Sequence, residues 1–166
     1  SADCDGDGVP DECQIDGNPN LDLNLNGILD SCECQVEGYC TTSPNSVGSG
    51  ALISYSGTAF VSFNDLTLIG TGLPANEFGL FFYGPNQINV ANGNGILCVG
   101  GLFRLSPTLS NASGTAAFSL DLTQPPAAGA QIDAGETWNF QLWYRDPSGG
   151  GAGYNFSDAL SITFCP

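Results

Sequence analysis

Two stretches near the amino terminus carry the residue types that bind a hard cation. DCDGDGVPDECQ, residues 3 to 14, and DLNLNGILDSCE, residues 22 to 33, place oxygen-bearing side chains at the same spacing, 19 residues apart. Calcium takes about six to eight oxygens, and a twelve-residue loop supplies them from positions 1, 3, 5, 7, 9 and 12. A glycine at position 6 allows the sharp turn through positive φ. In the second stretch Asp22, Asn24 and Asn26 stand at positions 1, 3 and 5, and Gly27 stands at 6. Ile28 offers its carbonyl at 7, Asp30 stands at 9 and Glu33 at 12. Every defined position of the loop pattern is satisfied. In the first stretch Asp3, Asp5 and Asp7 stand at 1, 3 and 5, Gly8 at 6, Val9 at 7 and Asp11 at 9. Position 12 is Gln14, a neutral ligand that Asp16, two residues on, would complete or replace. Two calcium sites are therefore expected. A solvated acidic tail is the plainer alternative. Such a tail needs neither a glycine at a fixed place nor an alternation repeated in register.

Only IDGNPNL separates the two loops. No pair of entering and leaving helices fits in that length, so the metal is not expected to open an apolar groove as in sensor proteins. It is expected to hold rigid a short segment that has almost no core of its own. Extracellular calcium modules bind at roughly 10⁻⁴ to 10⁻³ M, which implies permanent occupancy outside a cell.

The rest of the chain must position this acidic segment. Apolar residues make up 42% of the 166, enough for a core, while charged residues are only 11%. Net charge is −15, with two arginines, no lysine and no histidine. Nucleic acid is excluded as a partner, because phosphate binding needs cations that displace counterions. An anionic membrane surface is disfavoured for the same reason. Residues 1–40 hold ten of the 17 acids and no base. Five of the seven cysteines (4, 13, 32, 34, 40, 98 and 165) fall in those same residues. That density points to disulfides in an oxidising compartment. Zinc is the rival reading, without histidine or paired CxxC knuckles to support it. The odd count leaves one thiol free or paired with another chain. No uniformly apolar run is long enough to span a membrane, no signal peptide is visible, and methionine is absent. The chain is thus expected to be extracellular or on the cell surface, processed from a longer precursor.

Three segments are expected: tandem calcium loops over 1–33, a linker over 34–50, and a β domain over 51–166. Short apolar runs predict strands near 51–56, 58–63, 66–70, 78–83, 96–99, 101–105, 115–122, 137–145 and 159–164. Glycine- and proline-rich turns separate them, and no segment carries sustained helical periodicity. The expected fold is all-β, a jelly-roll-like β-sandwich preceded by a short irregular arm. In TWNFQLWYRD the alternation puts Trp138, Phe140, Leu142 and Tyr144 on one face, expected to be core. Asn139, Gln141, Trp143 and Arg145 fall on the other, expected to be surface or interface.

DCDGDGVPDEC followed by LNGILDSCE resembles the aspartate-rich calcium repeats of the thrombospondin type 3 and dockerin-like kind. Both stretches keep a cysteine at loop position 11, Cys13 and Cys32, but Leu23 stands where the first has Cys4. CTTSPNSVGSGA, NDLTLIGTGLPANEFGLFFYG, GNGILCVGG, GETWNFQLWYRDP and NFSDALSITF resemble a β domain found at the ends of large secreted bacterial proteins. That family has no settled activity, so the resemblance implies location and architecture rather than chemistry. It also implies a Cys40–Cys98 disulfide, which leaves Cys165 in need of another partner.

Three classes of function remain to be weighed. Catalysis is not expected, since histidine triads and lysine chemistry are impossible and no two carboxylates are singled out by spacing. A carbohydrate-binding or adhesion module of a larger secreted protein is the alternative reading, with Tyr83, Trp143 and Tyr154 as candidate stacking or interface aromatics. The favoured reading is structural: a calcium-stiffened subunit that assembles with copies of itself, head to tail, into a filament or surface layer. Asn111 and Asn155 each begin a glycosylation triplet. Arg104 and Arg145 are expected to pair with Asp146 or Asp158.

Overall fold

A computed structural model of the chain describes residues 3–4, 6–23, 25 and 27–166. Among these residues run β1 (Gln35–Tyr39), β2 (Leu52–Ser56), β3 (Thr67–Thr71), β4 (Phe78–Gly84), β5 (Asn86–Asn92) and β6 (Gly95–Gly100). There follow β7 (Phe103–Arg104), β8 (Thr108–Leu109), β9 (Ala116–Ser119), β10 (Thr137–Arg145) and β11 (Tyr154–Thr163). One short helix, α1 (Asp11–Gly17), lies in the acidic segment. The chain thus forms an all-β domain of several sheets with a short helical segment ahead of it.

The strict alternation of TWNFQLWYR makes β10 the centre of the largest sheet. It pairs antiparallel with β11 on one side and β4 on the other. β1 extends the β11 edge, and the short β7 and β8 pair with β4. A second antiparallel sheet has the order β2-β3-β9, and β5 and β6 form a separate hairpin.

Trp138, Phe140, Leu142 and Tyr144 are all buried, as the alternation predicts. With Phe81, Tyr83, Leu160 and Ile162 they share one core with Ile53, Leu68 and Ala116 of the smaller sheet. Tyr83 stacks on Phe140 (centroids 5.3 Å apart) and meets Trp138 edge-on at 5.4 Å. β3 approaches β10 closely because residue 70 is glycine; a Cβ there would overlap the Leu142 side chain.

On the opposite face of β10 Arg145 is exposed and Trp143 partly so, as expected, but Asn139 and Gln141 differ from the expectation of surface or interface. Asn139 and Gln141 are buried because the β5–β6 hairpin lies over them. Gln141 makes three hydrogen bonds there. Its amide nitrogen donates to Ile96 O (2.9 Å) and Ser157 O (2.8 Å), and its oxygen accepts from Cys98 N–H at 2.9 Å. A buried amide so bonded costs little and joins the hairpin to the sheet.

Other expectations shift in detail. Residues 35–39, read as part of a linker, are the edge strand of the main sheet. The apolar run near 58–63 is not a strand. Asp65 Oδ1 takes the Thr58 N–H and hydroxyl and folds the segment into a turn, with only an isolated bridge between Phe60 and Cys165. β11 begins at Tyr154 rather than 159 because it pairs with β10 along nearly its whole length. No helix among the described residues is long and apolar enough to cross a membrane.

Candidate metal centre

The two acidic stretches fold onto one backbone frame. In the first, Gly8 N–H donates to Asp3 Oδ2 (3.0 Å); in the second, Gly27 N–H donates to Asp22 Oδ2 (2.8 Å). Both are bonds from loop position 6 to position 1. Cys4 N–H donates to Asp11 Oδ1 (2.9 Å), and Leu23 N–H donates to both Asp30 oxygens (3.2 Å each), so position 2 reaches position 9 in both. Positive φ recurs at position 4 (Gly6 +70°, Leu25 +60°) and at position 6 (Gly8 +89°, Gly27 +83°). Position 8 matches as well: Pro10 has φ −57°, ψ 137° and Leu29 has φ −60°, ψ 131°. At position 11, Cys13 N–H and Cys32 N–H each donate to the position-8 carbonyl at 2.8 Å. Leu25 holds the left-handed conformation without being glycine, which costs roughly 1 kcal/mol.

The two loops diverge after position 9. In the first, Asp11 opens α1 and places Gln14 so that its amide nitrogen donates to Asp7 Oδ2, 2.6 Å away. The side chains of positions 5 and 12 therefore meet. Asp16 lies exposed on the last turn of α1. In the second, Asp30–Cys32 forms only a 3₁₀ turn before Glu33 leads into the β domain. Asp11 and Asp22 are buried, and the side chains of Val9 and Ile28 are exposed. Asp5, Asn24 and Asn26, expected as ligands at positions 3 and 5, lie outside the described residues. Among the described residues no cluster of three or more acidic or cysteine side chains stands close enough to hold a metal. The donor set at hand is all oxygen, from carboxylates and amides, which suits a hard cation such as calcium and not a soft one.

The chain holds three disulfides. Cys4–Cys32 joins position 2 of the first loop to position 11 of the second, with Cα atoms 6.1 Å apart. Cys34–Cys165 ties the end of the acidic segment to the end of the β domain (5.2 Å). Cys40–Cys98, the pair implied by the family resemblance, joins the end of β1 to β6 (6.3 Å). Cys13 is the exposed free thiol. Its counterpart in the second loop, Cys32, is already bonded to Cys4, and the counterpart of Cys4 is Leu23. The first and second pairings were not legible in the sequence, because loop homology alone would match cysteines at equal positions.

The remaining candidate residues separate. Tyr83 is not a ligand aromatic: it is buried in the core, donates its hydroxyl to Ala130 O (2.7 Å), and burial pushes its pKa up to about 12. Trp143 and Tyr154 pack together at 5.8 Å on the hairpin side of the main sheet. Asn155 is not a modification site in the folded chain. It is fully buried, and its amide nitrogen donates to Ser43 O (3.4 Å) and Pro44 O (3.0 Å). Asn111 is exposed in a turn where its Oδ1 accepts from Ser113 and Thr115 N–H. The expected arginine pairs are replaced by backbone donors: Asp146 accepts from Ser46 N–H (3.0 Å) and Asp158 from Ile53 N–H (2.7 Å).

The chain matches no protein-family model, no curated protein and no solved structure.

Proposed function

We propose that this chain is a non-catalytic structural subunit that works outside the cell. Its acidic arm is stiffened by two calcium ions, and copies join head to tail into a filament or surface layer. The observation that carries this reading is the recurrence of one loop frame 19 residues apart, with the same carboxylate-to-amide bonds and the same positive φ positions. Such a frame gathers carboxylates that repel one another. With no basic residue in residues 1–40, a cation is the natural counter-charge.

Asp3, Asp5, Asp7, Val9, Asp11 and Gln14, with Asp16 beside them, would hold the first ion. Asp22, Asn24, Asn26, Ile28, Asp30 and Glu33 would hold the second. The ions supply rigidity and no chemistry. The resemblance to thrombospondin type 3 and dockerin-like repeats supports this reading, as does the reading of the β domain as a jelly-roll-like sandwich. An assembly contact on the arm suits Leu23 and Leu25, which are 74% and 80% exposed.

Calorimetric titration with calcium, followed by size exclusion and negative-stain microscopy with and without chelator, tests it. The expected result is two calcium ions per chain and polymers that disperse on chelation. A chain that binds no calcium, or a monodisperse monomer at high concentration in calcium, would sink it.

A further inference from the structure

The hairpin covers only part of the outer face of the main sheet. Beside it lies a cavity of about 420 Å³, in the size range of small-molecule sites. Leu80, Phe82, Leu97, Trp143, Tyr154 and Phe156 form most of its wall. These walls are held in place. Tyr154 packs edge-on against Phe156 (6.1 Å), and Phe156 edge-on against Phe82 (6.2 Å). The hairpin tip closes on the Tyr154 ring because residue 93 is glycine with φ +58°; a Cβ there would overlap the ring. Asn94 locks the tip by donating to Gly150 O and accepting from Ala152 N–H. The cavity is therefore a built feature of the fold and not a gap in loose packing.

The cavity edge carries hydrogen-bond donors. Tyr154 donates its hydroxyl to Asn92 Oδ1 (2.8 Å), which leaves the Asn92 amide N–H groups to donate. Arg104, at the rim, is exposed and has no ion-pair partner among the described residues. It is one of two cations in a chain of net charge −15. An aromatic cavity edged by donors complements an apolar body that ends in an anion. It suits a sugar less well, because a sugar's many hydroxyls need more polar partners than Asn92, Arg104 and Tyr154 supply.

We propose that this cavity binds a small amphiphile carrying one carboxylate. The apolar body lies against Trp143, Tyr154 and Phe156, and the carboxylate sits on the Arg104 guanidinium, which can grip it with two parallel hydrogen bonds.

Tryptophan fluorescence of the full chain in calcium reads the site, since Trp143 lines it while Trp138 is buried in the core. Decanoate, kept below its micelle concentration, is titrated against decanol. Saturable binding is expected, with decanoate at least about tenfold tighter than decanol, and Arg104→Gln should remove that preference without weakening decanol. Leu97→Trp, which fills the cavity, should abolish binding of both. Equal affinity for the two probes, an unchanged preference in Arg104→Gln, or displacement of decanoate by maltose would overturn the proposal. Arg104 is exposed, so its substitution decides the matter even if the cavity-filling variant fails to fold.

Discussion

The β domain buries Phe81, Phe140, Leu142 and Ile162 completely, whereas among the described residues of the arm only Leu29 and Cys32 are buried apolar side chains. The two regions hold their shape by different physics. In the domain, removal of apolar area from water does most of the work. In the arm, shape rests on carboxylate-to-amide bonds, glycine turns and a cross-link. A segment that cannot bury enough surface needs such staples. The contrast teaches that the acidic residues of the arm occupy the structural place that leucines and phenylalanines occupy in the domain.

The comparison can be broken in graded ways. The largest effect is expected from Phe140→Ala, which empties the centre of the aromatic core and should cost about 3–5 kcal/mol in urea unfolding. That loss should be the same in calcium and in chelator; a calcium-dependent loss would show that the domain leans on the arm. Next, replacing Cys34 and Cys165 together by serine opens a loop with a sequence separation of 131. The expected loss is about 2–4 kcal/mol, and peptide mapping without reductant should first find all three disulfides. An unchanged midpoint would mean that the sheet alone holds the two ends together.

Smaller changes sharpen the contrast. Leu25→Gly removes the left-handed strain in the second loop and should tighten calcium binding a few fold, since about 1 kcal/mol is at stake and part is offset by greater freedom in the unfolded chain. Calorimetry that finds weaker binding would refute the shared frame as the calcium-binding form. The smallest effect belongs to Asp158, whose carboxyl is pushed above its usual value of 3.8 by burial, although the Ile53 N–H pulls it back. A raised value in the folded state means a penalty when the group is charged, absent below pH 3.8 and complete above the raised value. Asp158→Asn should therefore stabilise the protein at pH 7 by a few tenths of a kcal/mol, since the half-buried group is screened. The gain should vanish as pH falls towards 3.8. Asp65 and Asp121 act in the opposite sense: hydrogen bonds from Thr58 and Thr123 lower their values, so their contribution is lost as pH falls below 3.8. Melting curves from pH 3 to 7 separate the two behaviours.

What was legible in the sequence follows the same division. β10 could be read because every second residue is large and apolar, and the loop frame because its oxygens and glycines recur at fixed spacing. β1 and β5 were hidden: Gln35–Tyr39 holds a charge and a glycine, and Asn86–Asn92 is mostly polar because it is largely exposed. Gln141 read as surface because nothing local says that a hairpin returns to cover it. Seven cysteines admit many pairings, and only the fold brings Cys34 beside Cys165. Tyr83 was read as a candidate stacking aromatic and Asn155 as the start of a glycosylation triplet. Neither signal carries burial, and the fold supplies each polar group with a partner inside the domain.

The disulfides also define a line of tension. Residues 4–32 and 34–165 are each closed into a covalent ring. A pull applied between Asp3 and Pro166 runs through Cys4 to Cys32, across Glu33, then through Cys34 to Cys165. It never enters the sheets. Under load the molecule behaves as a link in a chain, nearly inextensible, its hydrophobic core shielded from the force that its ends transmit.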